Sequence, residues 1–433
     1  MIDNLKAYVH EDFYAIEYLK NNIVYLHGKM PDNVKEYLEY KFEQLPELSF
    51  LIANKVILEG INLPIDSLFI LNGTNLDEKE LTNLIGRVNR LDQVFGAKKN
   101  LAKLLPMVHF VNSEEYNRKN SKLENKIKLL KNSTFLDKVK NPLLAAFDPE
   151  QLDDDENQTV QKKCKEIIAD EEMFFSIPKD PIQELKRKMI SLGMNTIYTI
   201  TNDLCSNIHQ KIITLLEHPR LNEIHFLDKL RYIFVRHNDK EITDREFGRL
   251  KNDLAIAYYK MFFENRKKSL KENIATEVLY FQRRVAAGDS QLYIGESYGE
   301  IPYTTTGQGA FHNVYIDLRT KTKQQMVNIA IVKQKLEEDF VSYKLHMFFQ
   351  IMYDYALLTQ DDYHTILYGT TDPKKLRLVK MGLTINIINR LDEDRQLQNI
   401  FIDSNYNLNT NDEFDKYRQR VDDFYRFELS KFL

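Results

Sequence analysis

Four short apolar runs, IVYLH at 23–27, FLIA at 50–53, SLFIL at 67–71 and MVHFV at 107–111, all fall within the first 112 residues, with amphipathic segments of helical periodicity between them. Short strands that alternate with helices in this way read as neighbours joined by crossovers, which makes the strands parallel. The alternation confines residues 1–112 to an α/β layer architecture. Between the first two runs, Asn33 and Glu36 have capping-box spacing, and Val34, Leu38, Phe42 and Leu45 recur near helical spacing up to Pro46. A second helix is expected from about residue 77 to 91, with Leu81, Leu84, Ile85, Val88 and Leu91 on one face.

Beyond this stretch the composition changes. Residues 114–140 carry eight basic against four acidic side chains, and DPEQLDDDEN at 148–157 then packs six acidic residues into ten. Such a charge run reads as a solvated linker, and it lacks the glycine and terminal glutamate of a calcium loop. Residues 113–177 are therefore read as a basic and then acidic connector. From 178 to 433 the pattern is mainly helical, as in IQELKRKMISLG, DLCSNIHQKIITLLEH and a long run from 249 to 285. A glycine-rich insert at 288–320 interrupts it, where a loop or short hairpin is expected. Helices resume over 321–355, with Met326, Ile329, Leu336, Phe340 and Leu345 near one face and the acidic residues of VKQKLEEDF on a solvated one. A further helix starts at Asp372, the expected N-cap, with Pro373 at its first position.

The chain has 433 residues with 60 basic and 64 acidic side chains, so no overall basic field draws it to nucleic acid, and any such binding has to come from local patches. Glycine (14) and proline (11) are scarce, which disfavours a turn-rich all-β fold, while 43% hydrophobic residues are enough for a sizeable core. The two cysteines, Cys164 and Cys205, form no C-x-x-C pair, which excludes a disulfide framework or a cysteine-rich zinc site. A reducing, cytoplasmic setting is expected. No apolar run nears the roughly 18 residues of a membrane span, and the first dozen residues lack a signal peptide's apolar core. No metal site is expected: the histidines make no H-E-x-x-H, and His209 reads as a packed or surface residue on an amphipathic helix.

At 100° per residue, Asn83, Arg87 and Arg90 share one stripe opposite Leu81, Ile85 and Val88, so two permanently charged guanidiniums point away from the core. Forked donors suit phosphate oxygens, and such a stripe can complete a nucleotide site offered by another surface. The same side chains also suit an ordinary solvated face. Gly60 and Asn62, just before Leu63 and Pro64, fit either a turn whose backbone N–H groups approach a phosphate or plain loop punctuation.

Three collinear segments carry a family resemblance. VYLHGKMP at 24–31 resembles the segment that reads roughly F-H-H-G-x-L-P in Ski-type and related DEAD/DEAH helicases of superfamily two. LIANKVILEGINLP at 51–64 resembles their motif V, and NLIGRVNR at 83–90 resembles motif VI, Q-x-x-G-R-x-x-R. Asn54 stands where threonine is usual, Asn83 replaces the glutamine and Asn89 a common glycine. The resemblance implies a partial RecA-like α/β domain with a parallel sheet at 1–112, followed by a large mainly helical accessory region. It also implies an ATP-dependent helicase or translocase on DNA or RNA. Arg87 and Arg90 would be the catalytic arginine fingers; Gly60, Asn62, Asn83 and Gly86 would contact the nucleotide; and His27, Gly28, Ala53 and Asn54 would contact nucleic acid.

No G-x-x-x-x-G-K-[ST] loop and no D-E-A-D, D-E-A-H or D-E-x-H box occurs in the sequence. The chain is accordingly read as the C-terminal portion of a longer helicase. Its missing N-terminal RecA-like domain would complete the site for ATP and Mg2+, and this chain alone would bind neither. Basic clusters at Arg187 with Lys188, Arg266 through Lys268, and Arg283 with Arg284 fit phosphate contacts or solvated faces. The alternative is a non-catalytic interaction or scaffold module that keeps a RecA-like domain, with a protein partner on the helical region, in a setting such as bacterial defence.

Overall fold

The computed structural model describes residues 1–54, 63, 65–72, 76–89, 94–95, 101–112, 123–132, 178, 180–304 and 311–433, with isolated positions at 158, 161, 168 and 171. The chain divides into two compact units. Tyr14–Asp148 form one, and Met1–Phe13 together with Pro149–Leu433 form the other. Helix α1 (Ile2–Tyr8) thus belongs with the distant C-terminal portion and not with the strands that directly follow it.

In the α/β unit, α2 (Tyr14–Leu19) leads into β1 (Ile23–Leu26), α3 (Asp32–Gln44) and β2 (Phe50–Ala53). Strands β1 and β2 pair in parallel from Ile23 opposite Phe50 to Leu26 opposite Ala53. After them come β3 (Ser67–Ile70), α4 (Glu78–Ile85), β4 (Met107–Phe110) and α5 (Leu123–Asn132), with β3 and β4 again parallel. All four expected strands are present to within one residue. Val24 and Leu26 point into the core from β1, and Ile70, Leu81, Leu84 and Leu123 close a second apolar cluster around β3 and α4.

Two helix boundaries differ from expectation. Helix α3 starts at Asp32 after Pro31 with no side-chain capping bond, so Asn33 lies inside the first turn and is not the cap. Helix α4 does have a capping box, built by Asp77 and Glu80, but it ends at Ile85. Val88 leaves the helix to make a parallel bridge with Ile65, and a strand-like pairing cannot coexist with helical hydrogen bonds at the same residues.

In the helical unit, α6 (Pro181–Ser191) and α7 (Asn202–Leu216) pack with α8 (Phe226–Leu230) and its π-helical continuation Arg231–Val235. The short α9 (Arg245–Gly248) and a 3-10 turn Arg249–Lys251 precede α10 (Asp253–Asn265) and α11 (Leu270–Ala286). The expected single run is thus two helices. The insert is a three-stranded antiparallel sheet, β5 (Gln291–Tyr293), β6 (Ile301–Thr304) and β7 (Phe311–Asp317), with β7 central. Pro302 sits at a register shift on the edge strand β6, a place where its missing N–H does no harm.

Helix α12 (Lys323–Asp339) passes through a π-helical segment, Phe340–Leu345, into α13 (His346–Asp354). Its buried face is Val327, Ala330, Ile331, Lys333 and Glu337, not the Met326, Ile329 and Leu336 face expected from apolar spacing. The remaining elements are α14 (Gln360–Tyr368), α15 (Pro373–Lys380), α16 (Ile385–Glu393), a hairpin of β8 (Ile400–Ile402) and β9 (Leu408–Thr410), α17 (Asp412–Arg420) and α18 (Asp423–Ser430). Asp372 caps α15 as expected, accepting from the N–H groups of Lys374 and Lys375.

Candidate functional site

The parallel register puts the residues that leave β1 and β2 side by side. Because Leu26 faces Ala53, His27 and Asn54 follow at the same, carboxyl, edge of the strand pair. In open α/β sheets this is the edge where ligands bind. His27 is fixed there: its Nδ1 accepts from the Lys29 N–H at 3.0 Å and its carbonyl from the Met30 N–H at 3.0 Å. Burial lowers its pKa, so the ring is neutral and, with Nδ1 accepting, carries its proton on Nε2 as a donor. A Cβ built on Gly28 meets nothing within 4 Å, so this turn has open space beside it. Ala53 is half-buried and Asn54 exposed.

A second grouping lies where α4 ends. Asn83 is exposed on the helix, Gly86 terminates it, and Arg87 sits in the turn that follows, half-buried with its Nε enclosed. Asn89, in the left-handed region at φ 50°, donates its N–H to the Ile65 carbonyl at 2.9 Å. The bridge between Ile65 and Val88 therefore joins the end of the 51–64 segment to the 83–90 segment. Asn83 and Arg87 do not share a helical stripe, because the helix stops before Arg87. Gly60, Asn62 and Arg90 lie outside the described residues.

In each basic cluster of the helical unit one member is engaged within it. Lys188 pairs with Asp354 at 2.7 Å, Arg266 donates to the Ile366 carbonyl at 2.6 Å and pairs with Glu338 at 3.3 Å, and Arg284 pairs with Asp289 at 2.7 Å. Among the described residues no group of three His, Cys, Asp or Glu side chains is arranged to hold a metal, and no helix is long and apolar enough to cross a membrane.

Sequence reasoning missed a buried polar network between α10, α11, α12 and β5. Glu337 is 1% exposed and Lys333 4%, although both fall in the stretch expected to be a solvated face. One oxygen of Glu337 accepts from Lys333 and the other from Tyr259, and Arg249 donates to the Tyr259 hydroxyl at 2.6 Å. The Arg249 guanidinium lies 3.9 Å from the Tyr293 ring centroid on β5. Tyr258 donates to Glu277 at 3.2 Å. Desolvation pushes the Glu277 carboxyl up to about 7. The same desolvation at Glu337 is overcome by Lys333 and Arg249, which hold it down at about 2. One signal was available in the sequence: Glu277 sits among Ile274, Val278 and Phe281, at a core position of its own helix.

Residues 3–92 match the family described as the Helicase conserved C-terminal domain. No curated protein and no solved structure matches the chain. Residues 3–92 are thus similar to a helicase C-terminal domain of the superfamily one or two type, which is RecA-like in fold, and a mostly helical remainder follows.

Proposed function

We propose that the chain is the C-terminal portion of an ATP-dependent nucleic-acid helicase or translocase related to the Ski-type enzymes, with 51–64 acting as motif V and 83–90 as motif VI. The observation that carries this reading is the parallel register that brings His27 and Gly28 beside Ala53 and Asn54 at the carboxyl edge of β1 and β2. There a neutral, donating His27, open space at Gly28 and the exposed amide of Asn54 make a surface suited to phosphate and sugar oxygens.

The end of α4 suits a nucleotide. The forked donors of Arg87 and the amide of Asn83 fit anionic oxygens, while the described residues offer no carboxylate cluster for magnesium, which residues elsewhere would hold. ATP with Mg2+, when bound, supplies the phosphoryl transfer that drives the cycle. Arg87 would steady the negative charge on the phosphate oxygens, Asn83 would orient them, and Gly60, Asn62 and Arg90 would complete the contact.

Steady-state ATPase assays with saturating nucleic acid test the reading. This chain alone should show no turnover, since it carries one wall of the nucleotide site. In the intact protein, Arg87→Ala should reduce turnover by about 10³-fold or more, as arginine fingers do, and lysine should not restore it. Turnover near one per second by this chain, or full activity of the Arg87→Ala enzyme, would refute the assignment.

A further inference from the structure

We infer that Asn89 is a positioning residue for Arg87: its left-handed backbone pins the turn that carries the arginine to Ile65, at the end of the 51–64 segment. The inference rests on the nucleotide reading of the α4 end given above and adds to it a residue that acts through another.

Arg87 stands between two anchors. On its N-terminal side the turn prolongs the end of α4: the Gly86 N–H donates to the Thr82 carbonyl at 2.9 Å, the Arg87 N–H to that of Leu84 at 3.2 Å and the Val88 N–H to that of Ile85 at 3.0 Å. On its C-terminal side Val88 is buried and bridges to Ile65, and the Asn89 N–H donates to the Ile65 carbonyl at 2.9 Å. With the backbone held on both sides, the direction in which the Arg87 side chain leaves it is set in advance. A guanidinium carried on an unpinned turn would have to be ordered by each phosphate it meets, at a cost in conformational entropy.

The second anchor depends on the residue type at 89. Asn89 has φ 50°, a region that glycine enters freely and that asparagine tolerates better than most other residues. Its Oδ1 is enclosed without a hydrogen-bond partner among the described residues, so that oxygen makes no bond that would call for an asparagine, whereas the backbone conformation does. A β-branched residue holds φ near 50° only under strain. Relief by rotation about N–Cα breaks the bond to Ile65, displaces the buried Val88 or turns aside the chain that follows, and the clamp behind Arg87 is loosened. The other non-glycine residues with positive φ among the described ones, Asn22, His237, Ala356, Arg395 and Tyr406, all lie outside residues 51–90. Strain held next to a side chain with a chemical task is the arrangement in which a costly backbone conformation is kept for function.

The test combines steady-state ATPase assays of the intact protein with saturating nucleic acid and, on the 433-residue chain, hydrogen exchange of peptides spanning residues 84–89. Asn89→Val should lower kcat about tenfold or more and leave KM for ATP within about twofold, since it disturbs a contact made chiefly in the transition state. Asn89→Gly, which holds φ near 50° without strain, should keep about half of kcat or more. In an Arg87→Ala background Asn89→Val should cost nothing further, because a residue that acts only through Arg87 then has nothing left to position. In the chain itself Asn89→Val should speed exchange across 84–89 by about tenfold or more while Asn89→Gly stays within about threefold of the unmodified chain, both with melting temperatures close to it. The inference is overturned if Asn89→Val keeps full kcat or unchanged exchange, if Asn89→Gly loses as much as Asn89→Val, if the losses at 87 and 89 add, or if turnover falls only in step with the melting temperature. In each of these cases a large loss in Arg87→Ala still upholds the reading of 83–90. Full turnover by the Arg87→Ala enzyme would overturn that reading and the inference with it.

Discussion

Glu337 and Glu277 are both carboxylates shut away from water, yet they titrate on opposite sides of the ordinary value: burial raises Glu277, while at Glu337 the cations Lys333 and Arg249 overcome it. Glu337 lies between Lys333 and Arg249 and stays ionised down to about pH 2. Its stabilising contribution is present above the ordinary carboxylate value of 4.5 and is lost as pH falls from there toward 2. Glu277 faces Tyr258 and titrates near 7, so the folded chain holds a proton that the unfolded chain has released. Its contribution is complete below 4.5 and is lost as pH rises through 7. Urea unfolding from about pH 5 to 8 should therefore show Glu277→Gln gaining stability relative to the unmodified chain as pH rises, by an order of a few kcal/mol, with a plateau above about pH 7.5. A difference that stays flat across this range would mean that Glu277 is ionised throughout. Glu337→Gln strands two cations away from full solvation and should cost about 3–5 kcal/mol at neutral pH.

At the scale of the elements, close backbone approaches set what each can tolerate. A Cβ on Gly299 would stand 2.2 Å from the backbone between Asn313 and Val314, so the turn before β6 reaches β7 only with glycine. Gly299→Ala should lower stability by about 1–3 kcal/mol, whereas Gly28→Ala, with open space around it, should leave the melting temperature within a degree or so. Paired thermal melts give both values. The strands of the α/β unit were legible in the sequence because each is a short apolar run bounded by polar residues, and α15 because Asp372 and Pro373 form a cap whose chemistry is local. The end of α4 was not legible: Leu81, Ile85 and Val88 keep helical spacing, but Val88 bridges to Ile65 and the Asn89 N–H is claimed by the carbonyl of that same residue, on a segment that precedes the helix. Helix α12 misled for the reverse reason. Charged residues are ordinarily solvated, and only tertiary partners from α10 and the 3-10 turn at Arg249 make burial of Lys333 and Glu337 tolerable. In the candidate site, the grouping of His27 with Asn54 follows from strand register, which the sequence motifs already implied, while the turn that carries Arg87 does not.

For the whole molecule, the fact with most consequence is that Met1–Phe13 complete the unit formed by Pro149–Leu433. Leu5 and Val9 are fully buried, and α1 packs against α11 and α18. The Tyr8 ring stacks on Phe424 at 4.7 Å, and its hydroxyl donates to Asp422 and accepts from Arg390. Arg390 also pairs with Asp422 at 3.2 Å and lies 3.7 Å from the Tyr425 ring centroid. Lys271 donates to the Lys6 carbonyl at 2.8 Å and Asn328 to that of Asp12 at 2.8 Å. The chain in consequence begins in the helical unit, leaves it to build the α/β unit and then returns, so removing the N-terminal segment should injure the far end of the chain more than the strands beside it. A chain shortened to begin at Tyr14 loses the burial of Leu5, Val9 and Phe13, each contributing about 1.5–3 kcal/mol, together with the polar tie. Its helical unit should unfold at markedly lower urea concentration, followed by far-UV circular dichroism. Tyr8→Phe keeps the ring stack and the pairing of Arg390 with Asp422, so it should cost only about 0.5–1.5 kcal/mol. Asp422→Ala should fall between the two, because it removes both the partner of Arg390 and the N-cap of α18. An unfolding curve for the shortened chain that coincides with that of the full chain would show instead that residues 1–13 rest on the helical unit without supporting it.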